Sequence, residues 1–299
     1  MKRRNFLWYS LLFVAGCTAG TSNPTDSSSN SGTGGSLEKL RFSISDTQGM
    51  EELQREYEPF RKALEEVLEK KIEFFPLVKG FAGAGSALQL NQVDLLLTGP
   101  SEYVIIRART NAVPVIGLSR PGFRSVIAVR AGSKIKSLAQ LKGKTIAMRE
   151  VGSTSGHIIP TKMLIDAGLN PQSDVKIVMT ADNGLQALKN RQADAWAVSI
   201  FRYKRTILTE GLSENAFPVI ATGPLLPNDL FVASSKLEPA LIEEIRTRML
   251  KNQDKLTQAL LATKVASTRF RGSQLVPVND KDYDIIRKTY KAIGEGDFS

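Results

Sequence analysis

In TIAMREVGSTSGHIIPTKMLIDAGLNP, residues 145–171, an apolar strand runs through a hydroxyl-rich loop into a helix. Thr145 to Met148 reads as the strand, and Gly168 stops the helix. Between them stand Gly152, Ser153, Thr154, Ser155 and Gly156. Glycine lets the backbone approach a ligand closely, and the first N–H groups of a helix lack an intrahelical acceptor. Those N–H groups, three hydroxyls and the positive end of the helix dipole together favour an anion. Capping a helix needs only one serine or threonine, so three between two glycines point beyond a simple cap.

The same letters also approximate a hydrolase elbow of the type G-x-S-x-G. Here the central residue is Thr154, and the sole histidine, His157, lies three residues downstream rather than late in the chain. The segment is therefore read as a binding site and not an enzyme's nucleophile. His157 falls on the first helical turn, where a surface or capping role and a ligand contact both remain open. One histidine and one cysteine leave no metal-binding constellation. Gly80 to Gly85 (GFAGAG) has neither the order nor the preceding strand of a dinucleotide fingerprint, and reads as a tight turn facing the cleft. No metal and no cofactor are expected.

Outward from this segment, strands and helices alternate. Strands are predicted at 40–44, 72–76, 93–98, 125–129, 175–179, 194–198 and 230–233. A helix is predicted over 53–68, with Pro59 near a first helical position, and others over 86–92, 182–190, 239–261 and 282–293. Alternation of this kind predicts parallel sheets covered on both faces, and two of them in about 260 residues make two lobes. Connecting strands are expected near 123–129 and 228–233. Ligands of such folds bind beyond the carboxyl ends of strands, where the lobes meet. Trp196, Ser199, Phe201 and Tyr203 follow a strand that should end there, as ligand contacts or as core.

The N-terminus bears on compartment. Lys2, Arg3 and Arg4 precede an apolar run from Phe6 to Val14, too short for a permanent span and proportioned like a signal-peptide core. Val14-Ala15-Gly16-Cys17 resembles a lipobox, which makes Cys17, the only cysteine, a lipidation site and excludes an intramolecular disulfide. Arg3-Arg4 leaves the Sec and twin-arginine export routes both open. Residues 18–36 are almost wholly Ser, Thr, Gly and Asn and read as a flexible tether. The formal charge of +10 falls to about +7 without residues 1–16. Its carriers are scattered without interleaved aromatics, which argues against nucleic acid as a partner.

Residues 137–171 (SLAQLKGKTIAMREVGSTSGHIIPTKMLIDAGLNP) and 91–104 (NQVDLLLTGPSEYV) resemble the phosphonate-binding components of ABC importers. That family has the type II periplasmic binding fold, and the likeness extends from about residue 40 to residue 235. It implies an α/β protein of two lobes, each a central sheet flanked by helices, with the ligand cleft between them. Lobe I would comprise residues 37–122 and 225–299, and lobe II residues 123–224. It further implies that Ser153, Thr154, Ser155 and Gly156 grip an oxyanion, with Tyr103 donating from the opposite lobe as the lobes close.

Two departures from the family's usual letters stand near that site. Phe81 replaces a tyrosine, losing a donor but keeping an aromatic wall. Asp182 follows a strand where a histidine is usual, and a carboxylate there opposes a doubly charged phosphonate unless it stays outside or is protonated. The partners implied are a phosphonate, phosphite or related small oxyanion and an ABC permease, with a monomer on the extracytoplasmic face of a membrane, held by the lipid on Cys17. A ligand-presenting module for a membrane sensor, or a receptor for a different small anion, would use the same features.

Overall fold

The structure is a computed structural model that describes residues 38–45, 47, 49–77 and 81–298. The export signal, Cys17 and the tether lie outside the described residues. Eleven strands form two sheets among them. In chain order the strands are β1 (Lys39–Ile44), β2 (Lys71–Phe74), β3 (Leu95–Thr98), β4 (Val113–Leu118), β5 (Ser125–Val129) and β6 (Thr145–Met148). They continue with β7 (Lys176–Met179), β8 (Ala195–Ser199), β9 (Val219–Thr222), β10 (Asp229–Ala233) and β11 (Leu275–Val276). The helices are α1 (Gly49–Leu68), α2 (Phe81–Gln89), α3 (Pro100–Thr110), α4 (Ile159–Asp166) and α5 (Gly184–Lys189). After them come α6 (Ile200–Thr209), α7 (Pro239–Lys251), α8 (Gln253–Leu260), α9 (Lys264–Arg269) and α10 (Asp284–Ala292).

One sheet has the order β11-β4-β10-β3-β1-β2 and the other β7-β6-β8-β5-β9. Neither is purely parallel, which corrects the expectation from alternation. Strand β10 runs antiparallel to β3 and β4, and β5 antiparallel to β8 and β9, while β1, β2, β3 and β6, β7, β8 are parallel. The cause is the route of the chain. Residues 119–124 and 223–228 carry it between the sheets, so β5 and β10 each enter a sheet without a covering helix in front of them. Leu226 N–H donates to Phe123 C=O and Gly223 N–H to Ser125 C=O, tying the two passages together.

The first sheet packs α1, α7 and α8 on one face, where Phe42, Phe60 and Phe231 stack with centroids 5.6–6.1 Å apart. Pro59 lies inside α1 rather than near its start. The buried face of Leu53, Tyr57, Phe60 and Leu64 extends across it, so tertiary burial outweighs the lost backbone hydrogen bond. The predicted helix over 239–261 is two helices, interrupted at Asn252. From Phe81 on, the segment expected as a tight turn is instead the start of α2, while Gly80 lies outside the described residues. Strands β4, β9 and β11 and helices α3, α6 and α9 had no sequence expectation. In the second sheet, Trp196 packs against Tyr203 (6.1 Å) beneath α5. The carboxyl-terminal helix α10 lies against both α3 and α4, and so touches the helices of both sheets.

Candidate functional site

The carboxyl end of β6 leads through Arg149 and Glu150 into Gly152, whose positive φ of 87° suits glycine. The first turn after Ser153 is widened. His157 and Ile158 N–H both donate to Ser153 C=O, at 2.9 and 3.0 Å, and Ile159 N–H reaches back five residues to Thr154 C=O. The N–H groups of Thr154, Ser155 and Gly156 precede the first of these bonds, and no side chain caps them. Arg149 N–H donates to Gly156 C=O (3.1 Å), holding the loop against the strand end. A Cβ on Gly156 would come within 2.6 Å of Arg149 Cβ, so glycine is required for that closeness.

His157 is buried and stands behind this loop, not in the cleft. Its Nδ1 accepts from Gly152 N–H at 3.2 Å, and Nε2 faces Glu295 at 3.8 Å. Burial lowers its pKa below the ordinary histidine value, with the Glu295 carboxylate opposing in part. The neutral ring thus shapes the Gly152 turn from below.

The cleft in front of the loop has a volume of about 390 Å³. Gly99, Pro100 and Glu102 line it from the first sheet's helices, and Ser153 to Gly156, Ser199 and Phe201 from the second's. Three helix starts therefore open on one space: α3 after Gly99, the widened turn after Ser153, and α6 after Ser199. Among the described residues the lining carries five arginines, Arg120, Arg149, Arg202, Arg205 and Arg269, and five carboxylates, Glu52, Glu102, Glu150, Asp182 and Asp229. Arg120 lies over the Phe123 ring (3.7 Å) and contacts both oxygens of buried Asp229 at 3.3 Å, with Arg269 at 3.7 Å. Glu102 accepts from the Ser45 hydroxyl, from the Thr98 hydroxyl (2.6 Å) and from Gly99 N–H (3.4 Å).

The residues singled out in the sequence divide. Ser153, Thr154, Ser155 and Gly156 line the cleft together, and Asp182 joins them. The Thr154 hydroxyl, however, is engaged across the cleft floor. It accepts from Ser101 N–H (3.1 Å) and shares a hydrogen bond with the Ser101 hydroxyl (2.6 Å), which is itself 2.7 Å from Gly152 C=O. Tyr103 is not at the cleft. One residue past Glu102 it sits about 100° further round α3, fully buried against Tyr283 (4.6 Å), with its hydroxyl donating to Asp280. Burial, then that carboxylate, drives its pKa far up. The Phe81 side chain lies outside the described residues. Asp182 does not stand outside the cleft and is not an isolated carboxylate: it pairs with Arg202 and, at 3.4 Å, with Arg149. Ser199 and Phe201 reach the cleft, whereas Trp196 and Tyr203 are core.

Sequence reasoning missed Ser101 and the arginines. Arg149 and Arg202 follow the carboxyl ends of β6 and β8, where that rule of ligand placement could have found them. Ser101, Arg120 and Arg269 carry no such local signal.

Residues 42–283 match the protein family described as ABC transporter, phosphonate, periplasmic substrate-binding protein. The chain is 24% identical over 306 residues to the phosphate-import protein PhnD of Mycolicibacterium smegmatis, covering 94% of this chain and 92% of that one. To the phosphonates-binding periplasmic protein of Escherichia coli it is 26% identical over 254 residues, 80% of this chain and 74% of the relative. Among solved structures, PhnD1 of Prochlorococcus marinus in complex with methylphosphonate superposes with a TM-score of 0.70 at 18% identity, over 87% of this chain and 100% of that chain.

Proposed function

Because the chain belongs to the phosphonate-binding family of ABC-transporter periplasmic substrate-binding proteins, we propose that its cleft captures a small phosphorus oxyanion and delivers it to a membrane permease. One observation supports this above the others: the uncapped N–H groups after Ser153 and five arginines face a single cleft between two sheets, and the starts of α3 and α6, whose first N–H groups are largely engaged, add their dipoles. Anions gain at helix starts from the unpaired N–H groups and the dipole, and from guanidinium forks that match their oxygens. In this reading the ligand's oxygens are held by Thr154, Ser155 and Gly156 N–H and by the Ser153 and Ser155 hydroxyls. Thr154's hydroxyl serves the cleft floor instead, and Tyr103 has no part in the grip. Residues 119–124 and 223–228, the passages between the sheets, are the hinge about which the lobes close. No bond is made or broken in the ligand, so release needs only reopening. Residues 1–16 act as the export signal and Cys17 as the lipid anchor, with residues 18–36 as the tether of a monomer.

The test is a thermal-shift panel on residues 37–299 with phosphite, methylphosphonate, 2-aminoethylphosphonate, phosphate and sulfate. A ligand at a hundred times its Kd adds about 2.7 kcal/mol of stability. One phosphorus oxyanion is expected to raise the melting temperature, and a Ser155→Pro variant, which removes one N–H and the hydroxyl, to lose the response. Stabilisation by sulfate alone would reassign the ligand to a sulfur oxyanion. No response to any of the five would remove oxyanion capture.

A further inference from the structure

Among the described residues, the cleft lining carries five guanidinium groups against five carboxylates. A site that is to accept a doubly charged anion must therefore free cations from their present partners. The carboxylates differ in how firmly they are held. Asp229 is 2% exposed between two arginines, and Glu102 is fixed by two hydroxyls and a backbone N–H. Glu150 is 32% exposed beside Arg149 at 2.8 Å. Asp182 is 66% exposed, yet a single oxygen, Oδ1, bridges Arg202 on α6 and Arg149 at the edge of the Ser153–Gly156 loop.

The backbone beneath Asp182 is shaped for this pose. Ala181 has a φ of 47°, a conformation that costs a non-glycine residue energy. It is held there by Thr180 N–H to Met148 C=O (2.8 Å) and Ala181 N–H to Arg149 C=O (3.1 Å). Asp182 is thereby carried to the mouth of the cleft from the strand next to the loop. A carboxylate oxygen between two guanidinium groups has the valence and geometry of one oxygen of a phosphorus oxyanion.

We propose that Asp182 is a resident counter-ion, a specificity-determining residue that occupies the Arg149–Arg202 fork until the ligand displaces it. This rests on the assignment of the cleft as an oxyanion site. The ligand takes over the two arginines and Asp182 turns out into solvent, where its exposure already places most of its surface. The displaced pair sets a threshold: an anion with two charges can compete for both arginines, whereas a singly charged anion gains less than it displaces. Asp182 therefore lowers the affinity of every anion that displaces it by a common factor, and an anion held too weakly to displace it is kept off the fork.

The test is calorimetric titration of residues 37–299 with methylphosphonate, phosphite, phosphate and, as the singly charged probe, nitrate. Wild type, Asp182→Asn, Asp182→Ala, Arg202→Gln and the Asp182→Asn/Arg202→Gln double variant are compared. Asp182→Asn and Asp182→Ala are expected to bind the preferred phosphorus oxyanion roughly fivefold tighter, the size of an exposed ion pair released. Nitrate, which gains less from the fork than it would have to displace, should gain no more than the dianion does. Arg202→Gln should weaken the dianion, and in the double variant the gain from Asp182→Asn should shrink. Equal or weaker binding by both Asp182 variants, while wild type still binds an oxyanion, would overturn the counter-ion role and leave the proposed function standing. If neither wild type nor the Asp182 variants bind any of the four anions, both fall together.

Discussion

Tyr103 and His157 are buried side chains that stand off the cleft lining. The Tyr103 hydroxyl donates to Asp280, which Arg287 also holds (2.6 Å). Tyr103→Phe should therefore cost about 1 kcal/mol of stability, one hydrogen bond, and change ligand affinity less than twofold, an outcome that paired unfolding and titration experiments would read. A large loss of affinity would return Tyr103 to the site. His157 is held neutral by burial, so its native pKa lies below the ordinary value of about 6.5. The stability of the neutral form is fully present above that ordinary value and is lost as pH falls through the lower native one. Protonation would remove the Nδ1 acceptor from Gly152 N–H. Affinity should thus fall more steeply in mildly acidic solution in wild type than in His157→Leu, whose remaining fall is the ligand's own protonation, measured by titration across the range. Superimposable profiles in the two proteins would sever His157 from the loop.

Elements meet here at a few close approaches that a sequence pattern does not encode. The start of α5 lies on the indole of Trp196 in β8, and a Cβ on Gly184 would stand 2.2 Å from Nε1. The ring is buried and cannot swing aside, so Gly184→Ala should destabilise the protein by about 2 kcal/mol as overpacking does, visible in chemical denaturation. Unchanged stability would mean that α5 shifts freely. Between the sheets, Ser101 at the start of α3 joins Thr154 and Gly152. Ser101→Ala removes the hydroxyl from both partners but keeps Ser101's N–H bond to Thr154. It should favour the open form by about 1 kcal/mol, seen as a larger radius of gyration without ligand in solution scattering. An unchanged radius would place the clasp outside the closure equilibrium.

For the whole molecule, the carboxyl-terminal segment joins the helices of both sheets. Arg287 binds Asp280 and Asp284 and donates to Phe298 C=O (3.1 Å), and Tyr290 meets Phe298 edge-on at 5.0 Å. Burial opposes ionisation of Asp280, but donation from Tyr103 and Arg287 prevails and holds its pKa below the ordinary carboxylate value. Its contribution is complete above about pH 4 and lost as pH falls through the native value. Asp280→Asn should lower the melting temperature near neutrality and flatten its decline in acid. A parallel shift at every pH would show that the charge of Asp280 is not involved. From the sequence alone came the alternating α/β plan, the strand-to-helix loop at Ser153–Gly156 and the family likeness over 137–171, because each rests on local periodicity, glycine placement or short contiguous motifs. Only the tertiary structure decided that β5 and β10 run antiparallel, that Tyr103 turns into the core, that Arg120, Arg202 and Arg269 share one cleft with the loop, and that Ser101 joins Thr154 beneath it. Those outcomes depend on helix rotation and chain route, which bring together groups as far apart in the chain as Tyr103 and Asp280, 177 residues; no spacing within a single element records them.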